Sequence, residues 1–434
     1  MYRRPLLRTQ YEQDAAIFPT WFQKVALGLV ILFFVLATLG APGIEAVPKK
    51  FLGNTWIDPV SNMMPLLIAA LGFNILVGVA GQVSLGHAFF MGTGAYTAVT
   101  LGGGGDGGIK ACVPWHDELG LLEEAGQCGL GLPMWIWLPL AGIVAAIIGL
   151  LVAPAAVKVR GLYLAIATVG LVFIGLHLGR TFPEFAGDFE SGRRWPKLQF
   201  RIWKEETPLV DFTEDGQWFG LIHLAEEQKQ LFLLMTFVGI FALMSKNLIR
   251  SRTGRALQAI RDRDIAAEVM GVPEFKYKRL AFAISSFYAG IGGALFASYL
   301  GRVSPVDFSL ILSVDFVAIL LIGGAGTMAG TVLGTVFVEL LPEVVETFTE
   351  WLSDQLDGSG PASWLANVLL TSGSGDFGAI ATAAAAPGWP MSVHMWNFAI
   401  FGVLIVVFMI FEPLGLFGIW LRIRNYWKSW PFSY

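Results

Sequence analysis

Two carboxylates in this chain stand where water is scarce. Asp315 lies in the apolar stretch Leu312-Ser-Val-Asp-Phe-Val-Ala-Ile-Leu320, and Glu339 lies in another, 328–342. Acids placed this way mark ion or proton routes, because a lone charge in an apolar medium is costly. Other chemistry is sparse. The five histidines, at 87, 116, 177, 223 and 394, show no metal-ligand spacing. There is no Ser/His/Asp arrangement, no CxxC and no G-x-x-x-x-G-K-[ST] loop to cradle a phosphate. An enzyme has little to stand on, and ATP chemistry would have to come from another chain.

The most informative stretch is polar. It reads Thr253-Gly-Arg-Ala-Leu-Gln-Ala-Ile-Arg-Asp-Arg-Asp-Ile-Ala-Ala-Glu-Val-Met-Gly-Val-Pro273, between two apolar runs. Ser251 or Thr253 suits a helix N-cap, and Ala256 to Met270 are good helix formers. Gly271 suits the left-handed position that ends a helix, and Pro273 stops its continuation. The spacing predicts one short helix, joined tightly to the next apolar run at Leu280. Two roles fit it: a positive loop that anchors topology, or a docking helix for a soluble partner.

The rest of the chain must position these features. Its 434 residues are 55% hydrophobic and 14% charged, against about 25% charge in soluble domains. Apolar runs fall near 24–40, 61–80, 85–101, 134–156, 162–179, 230–248, 280–300, 311–325, 328–342 and 395–419. A hydrocarbon layer of about 30 Å takes roughly 20 helical residues to cross. Backbone groups in lipid must be satisfied within the segment, so these runs read as helices. Continuous apolar runs also exclude a membrane β-barrel, which alternates residue by residue. The expected fold is an all-α polytopic membrane protein of about ten spans. The Gly-rich run 85–101 and the short run 328–342 are the candidates for broken or re-entrant segments.

Charge sets the sidedness. Lys246, Arg250, Arg252, Arg255, Arg261, Arg263, Lys276, Lys278 and Arg279 crowd one loop, 249–279 with its flanks. Lys158 and Arg160, the tail with Arg422, Arg424 and Lys428, and the N-terminus with Arg3, Arg4 and Arg8 fall on the same side when ten spans alternate. Both termini are therefore expected in the cytoplasm, with segment 1–23 before the membrane domain 24–419 and a tail at 420–434. Lys49 and Lys50 fall outside this pattern. The N-terminus does not read as a cleavable signal, because Ala41-Pro-Gly follows the first run. The opposite side receives three long loops, 102–133, 180–229 and 343–394. The first and third are acidic, and the second is long enough to form a small ordered cap. Cys112 and Cys128 both lie in the first loop, as a disulfide or as two free thiols.

Four blocks in order carry a resemblance. Arg255 to Gly271, followed by Tyr277-Lys-Arg-Leu-Ala-Phe282, resembles the coupling segment of branched-chain amino acid ABC transporter permeases. Gly72-Phe-Asn-Ile-Leu-Val-Gly-Val-Ala-Gly-Gln-Val-Ser-Leu-Gly-His-Ala-Phe-Phe-Met-Gly-Thr-Gly-Ala-Tyr96 is similar to the N-terminal signature of that family. Arg160-Gly-Leu-Tyr-Leu-Ala165 and Leu321-Ile-Gly-Gly-Ala-Gly-Thr-Met-Ala-Gly-Thr-Val-Leu-Gly334 match two later blocks, and the whole is most similar to LivM-type subunits. The resemblance implies a heteromeric importer. A second related permease shares the path, two ATPase subunits bind ATP and Mg, and an extracytoplasmic binding protein delivers substrate. No cofactor is implied on this chain, and nucleic acid is not an expected partner. Branched-chain or related small amino acids are the implied substrates, with urea or short amides as the alternative. An ion-coupled secondary transporter is the reading outside the family.

The resemblance places Arg255, Arg261, Ala266, Ala267, Glu268 and Gly271 on the ATPase-coupling segment. Asp315 falls where the family tends to carry an acid after a Ser, and reads equally as a helix-end acid near the outer surface. Gln82, Ser84, His87, Tyr96 and Tyr163 are further candidates for the translocation path. Gln82, Ser84 and His87 read equally as a hydrogen-bonded turn, and Tyr163 as an interfacial anchor. Gly326, Gly330 and Gly334, spaced by four, are expected on one helix face for close packing. Departures from the family pattern are Phe185-Ala-Gly-Asp-Phe-Glu-Ser-Gly-Arg-Arg-Trp195 and the tail Phe411-Glu-Pro-Leu-Gly-Leu416.

Overall fold

The computed structural model describes residues 21–39, 56–102, 130–158, 161–182, 225–354 and 414–429, with short pieces of 48–49, 186–224 and 370–412. Cys112 and Cys128 lie outside the described residues. In chain order the helices begin with α1 (Trp21–Thr38), α2 (Ile57–Phe73, running into a π-helical turn at Asn74–Val79), α3 (His87–Gly102), α4 (Met134–Lys158) and α5 (Leu162–Thr181). Short strands β1 (Arg193–Arg194), β2 (Gln199–Phe200), β3 (Val210–Asp211), β4 (Gly216–Trp218) and β5 (Ile222–Leu224) follow. Next come α6 (Glu226–Arg250), α7 (Arg252–Asp262), α8 (Asp264–Val269), α9 (Glu274–Leu300), β6 (Arg302–Val303) and a 3-10 turn at Pro305–Phe308. The chain then forms α10 (Leu310–Gly323), α11 (Met328–Asp354), three two-residue strands between 370 and 392, and α12 (Gly415–Ser429).

Among the described residues, six helices are long and apolar enough to cross a membrane: those within α2, α4, α5, α6, α9 and α11. Burial ranks them. The apolar window of α2 is 89% buried and that of α9 72%, whereas α5, α6 and α11 lie between 22% and 28%. α9 is the hub, packed against α2, α3 and α4. Contact this close needs small residues, because no hydrophobic force draws helices together in lipid and packing must do it. Gly94 of α3 faces Gly290 of α9, and Gly293 of α9 sits on the Met91 carbonyl. A Cβ at any of these would strike backbone atoms.

Two of the apolar helices, α3 and α10, are short. α3 rises about 24 Å and α10 about 21 Å at ~1.5 Å per residue, less than a full hydrocarbon layer. The run 85–101 forms one unbroken helix, α3, and the chain is non-helical in the stretch just before it, 80–86. Its Gln82, Ser84 and Gly86 are buried, while Gly81 and Val83 are exposed. Non-helical backbone is tolerated at membrane depth only where protein or a cavity covers it. The run 328–342 is longer than its apolar part suggested. α11 continues through Pro342 to Asp354, into the segment read as an outer loop, because Val344, Val345, Phe348, Trp351 and Leu352 recur at helical spacing and keep one apolar face. The tenth run, 395–419, lies largely outside the described residues. Its C-terminal end is not one helix with the rest: a turn at Leu414 precedes α12, which starts at Gly415 and runs into the expected tail.

The second long loop holds two antiparallel two-stranded ribbons, β2–β3 and β4–β5, and its β1 pairs antiparallel with β6, which follows α9. Trp195 packs edge-on to Trp137 of α4 at 5.4 Å, and Leu198, Val210 and Phe212 join the main core. Lys229 of α6 donates to the Asp211 carbonyl at 3.2 Å, and Gln230 to that of Phe212 at 3.0 Å. These contacts anchor the cap to the helix bundle.

The packing predicts a sharp contrast between glycines. Gly293→Val should lower the thermal unfolding temperature strongly, since overpacking costs typically 1–3 kcal/mol or more. Gly239→Val on α6, where a Cβ meets nothing within 4 Å, should leave it nearly unchanged. Thermal unfolding of both variants in detergent checks this.

Candidate functional site

The polar segment folds as two helices rather than one. Arg263 adopts an extended backbone (φ −157°, ψ 97°) and separates α7 from α8. The physical reason lies beside it: Asp262 and Asp264 flank Arg263, and Asp residues favour caps and turns over helix interiors. Ser251 Oγ accepts from the Gly254 amide at 3.3 Å, the expected cap. Gly271 is left-handed (φ +87°) with open space around it, and α9 starts just after Pro273.

The segment is seated by apolar packing. Leu257 of α7 is fully buried with Leu76, Val79, Ala153, Leu164, Ala281 and Phe282, a small core separate from the main one. Ala267 is buried, but Ile265, Val269 and Met270 are 69%, 84% and 86% exposed, and Ala266, Glu268 and Gly271 are exposed too. So α8 presents an apolar tip with one acid, Glu268. Arg255 donates to the Arg250 carbonyl at 3.1 Å and serves the local turn.

Arg261 does more. Its Nη1 donates to the Gly78 carbonyl at 2.6 Å, and its Nε and Nη2 face Asp262. Gly78 lies at the end of the π-helical turn, where carbonyls lose their helical donors. Arg261 therefore completes the C-terminus of α2. The same turn is fixed from another side. Asn74 Oδ1, buried, accepts from the Gly326 amide at 2.8 Å. Asn74 and Gly78 were not singled out in the sequence; the only signal was an Asn inside an apolar run.

Gly326 is thereby corrected. It is not on a helix face with Gly330 and Gly334. It stands in the turn before α11 with φ +83°, next to Gly324 at φ +110°, and Thr327 Oγ1 caps α11 by accepting from the Gly330 amide at 3.1 Å. Gly330 and Gly334 do pack as expected, against Gly323 of α10.

The candidate path residues separate into three places. Gln82 and Ser84 lie in the extended stretch beside Arg261; Ser84 Oγ accepts from the Gly86 amide at 3.3 Å. Tyr163, at the start of α5, is 76% exposed. His87 is only 1% exposed. Its Nε2 meets the Ala69 carbonyl at 2.9 Å, and its ring lies 5.0 Å from both Phe73 and Phe316. It is a packing residue inside the subunit, so it does not line an open route in this conformation. Asp315 of α10 is half-buried, and its charge acts on Glu339 of α11, so the two acids lie within electrostatic range of each other. Tyr96 lies at the opposite end from Gln82, within reach of the charges of Asp307 and Arg193. Burial holds the Arg193 guanidinium below its usual range, partly offset by Tyr96. Arg193 belongs to the departing segment Phe185–Trp195, of which Arg193–Arg194 pair with β6; Ser304 Oγ donates to the Phe189 carbonyl at 2.9 Å.

The family of branched-chain amino acid transport system permease components matches residues 58–409. The chain belongs to that family. Over 309 residues it is 29% identical to the high-affinity branched-chain amino acid transport system permease protein LivM of Escherichia coli K12. It is 30% identical to the protein of the same name from Salmonella typhimurium LT2. Each match takes in 70% of this chain and 66% of the relative, just under two thirds. No solved structure matches. Family and apolar helices together make this a multi-pass permease of the inner membrane.

Loss of the Arg261 guanidinium leaves the Gly78 carbonyl without its donor. Arg261→Ala should destabilise by about 1.5–3 kcal/mol, the usual worth of a hydrogen bond to a charged group. Amide exchange should accelerate at 74–82 and 326–327 while α3 and α4 stay protected. Hydrogen-exchange mass spectrometry reads both regions.

Proposed function

We propose that this chain is one of two related permease subunits of an ATP-driven ABC importer for branched-chain or similar small amino acids. The observation that carries the reading is the α7–α8 segment: a polar handle seated on the helix bundle, with the apolar tip Ile265, Val269 and Met270 exposed and no partner among the described residues. Exposed apolar groups of this kind belong in a cleft of another protein. In this reading α7 and α8 lie in the cytoplasm with both termini, and two ATPase subunits bind ATP and Mg. A second permease covers the exposed flanks of α5, α10 and α11, and a binding protein docks on the ribbon cap. The ribbons and the long segments on that side set how delivery occurs.

Coupling in this scheme is mechanical. Closure of the ATPases moves α7 and α8, and the Arg261–Gly78 and Asn74–Gly326 bonds carry the shift to α2 and to the α10–α11 pair. The extended stretch 80–86 and the Gly324–Thr327 turn, which meet at this end, then open or close the inner mouth. Nucleotide shifts the balance only through its different affinity for the two states. Urea and short amides remain the competing substrates within the family. The two acids Asp315 and Glu339, within electrostatic range of each other, favour a second reading, an ion-coupled transporter. Uptake that collapses with an ionophore and ignores vanadate would support it.

Glu268→Lys reverses the one charge on the α8 tip. With membrane insertion and abundance unchanged, ATP-driven leucine uptake in proteoliposomes should fall at least tenfold. Normal uptake by this variant would sink the docking role of α8.

A further inference from the structure

One buried group on the coupling side has no use in the scheme above. Gln82 is 4% exposed, and neither its Oε1 nor its Nε2 has a hydrogen-bond partner. An amide hidden from water without partners costs free energy, and native structures rarely leave one so. The side chain faces a cavity of about 250 Å³ between the stretch 80–83, the start of α5 and the joint of α7 with α8. At ~30 Å³ per water, that space equals about eight waters, far more than one amide needs.

The walls carry both charges. Arg261, Arg263 and Lys278 supply cations; Asp262 and Asp264 supply anions. Lys278 is engaged by Glu274, and Arg261 by Asp262 and the Gly78 carbonyl. Arg263 has no ion-pair partner among the described residues. Leu164 and Ile260 add apolar surface.

We propose that this cavity binds a small zwitterion, an α-amino acid, through the Gln82 amide. The side chain offers a donor and an acceptor side by side. A carboxylate accepts from Nε2, with Arg263 beside it. An ammonium donates to Oε1, with the Asp262 and Asp264 carboxylates beside it. A phosphate would satisfy Nε2 only and face two carboxylates. A metal cation would satisfy Oε1 only and face the arginines. The aliphatic part rests on Leu164 and Ile260.

The position gives occupancy a consequence. The ligand would bridge stretch 80–83 to the Arg263 break between α7 and α8, the joint that has to move if α8 follows an ATPase. Filling it biases that joint towards the conformation described here. Resting on the importer reading, the cavity is then a product sensor: amino acid accumulating on the coupling side slows further import.

Equilibrium binding of radiolabelled leucine to the full-length chain in nanodiscs, without delivery protein or ATPases, tests the site. Saturable binding is expected. It should be competed neither by 4-methylpentanoate, which lacks the ammonium, nor by isoamylamine, which lacks the carboxylate. Gln82→Leu should weaken it at least tenfold. Arg263→Gln, at an exposed position that tolerates change, should weaken it three- to tenfold and decides the matter if Gln82→Leu fails to fold. Absence of saturable binding, binding indifferent to both variants, or equal competition by inorganic phosphate would overturn the proposal and leave a water-filled or anion-binding cavity. The importer reading stands or falls separately, on ATP-driven uptake by the assembled subunits. Leucine loaded on the ATPase side should slow that uptake in the wild type and not in Arg263→Gln.

Discussion

The structure turns on a carbonyl that its own helix cannot satisfy. α2 relaxes into a π turn at Asn74–Val79 and the chain then leaves the helix, so the Gly78 oxygen needs a donor from elsewhere. Arg261 supplies it from a segment far along the chain. Asn74 in turn supplies an acceptor to Gly326 in the turn between α10 and α11. Three parts of the sequence are thus held at one point by bonds that each close a backbone vacancy. Such bonds resist sliding, because breaking one strands a buried polar group, which costs about 1–3 kcal/mol. Gly78 and Gly326 have to be glycine for this approach: a Cβ on Gly78 would occupy the site of the Asn74 oxygen and the Gly326 amide.

Around that point the burial is uneven in an informative way. α2 and α9 are enclosed, while α5, α6 and α11 keep most of their apolar surface uncovered. Lipid covers such surface at no cost, and so does another apolar protein. The enclosed pair forms the frame. The uncovered helices keep apolar surface that lipid or a neighbouring protein can cover. The glycines follow the same division. Those of α9 and α3 touch backbone, whereas Gly239 of α6 touches nothing.

Much of this was legible in the sequence because it obeys local rules. The cap at Ser251, the left-handed Gly271, the stop at Pro273 and the Gly330–Gly334 packing are each set by residue type and spacing. The single docking helix was not, since the break at Arg263 depends on two aspartates competing with helix geometry, which helix propensity summed over the segment does not reveal. Gly326 misled because a spacing of four describes a helix face only if the helix has begun. His87 and Gln82 sit five residues apart in one motif. The first has its Nε2 bonded to the Ala69 carbonyl and its ring against Phe73 and Phe316, and the second has no hydrogen-bond partner among the described residues. Only tertiary neighbours distinguish them. The π turn leaves no sequence signature beyond Asn74, and the extended stretch 80–86 reads as a slightly polar interruption.

The two anchors of the coupling segment differ in kind, and the difference bears on how force can pass through it. Leu257 and its neighbours hold α7 by burial, which is non-directional and tolerates small rotations. The Arg261–Gly78 bond is directional and fixes distance. A helix held by both pivots about the bond while rolling on the apolar seat. α8 beyond Arg263 has a lighter attachment, since only Ala267 is buried. In the proposed coupling, movement imposed on the α8 tip reaches α2 as rotation about Gly78, and the first backbone beyond that pivot is the non-helical stretch at Gly81. Gly81 lies against the Arg261 stem with φ +69°, so the stretch has little slack there and has to follow.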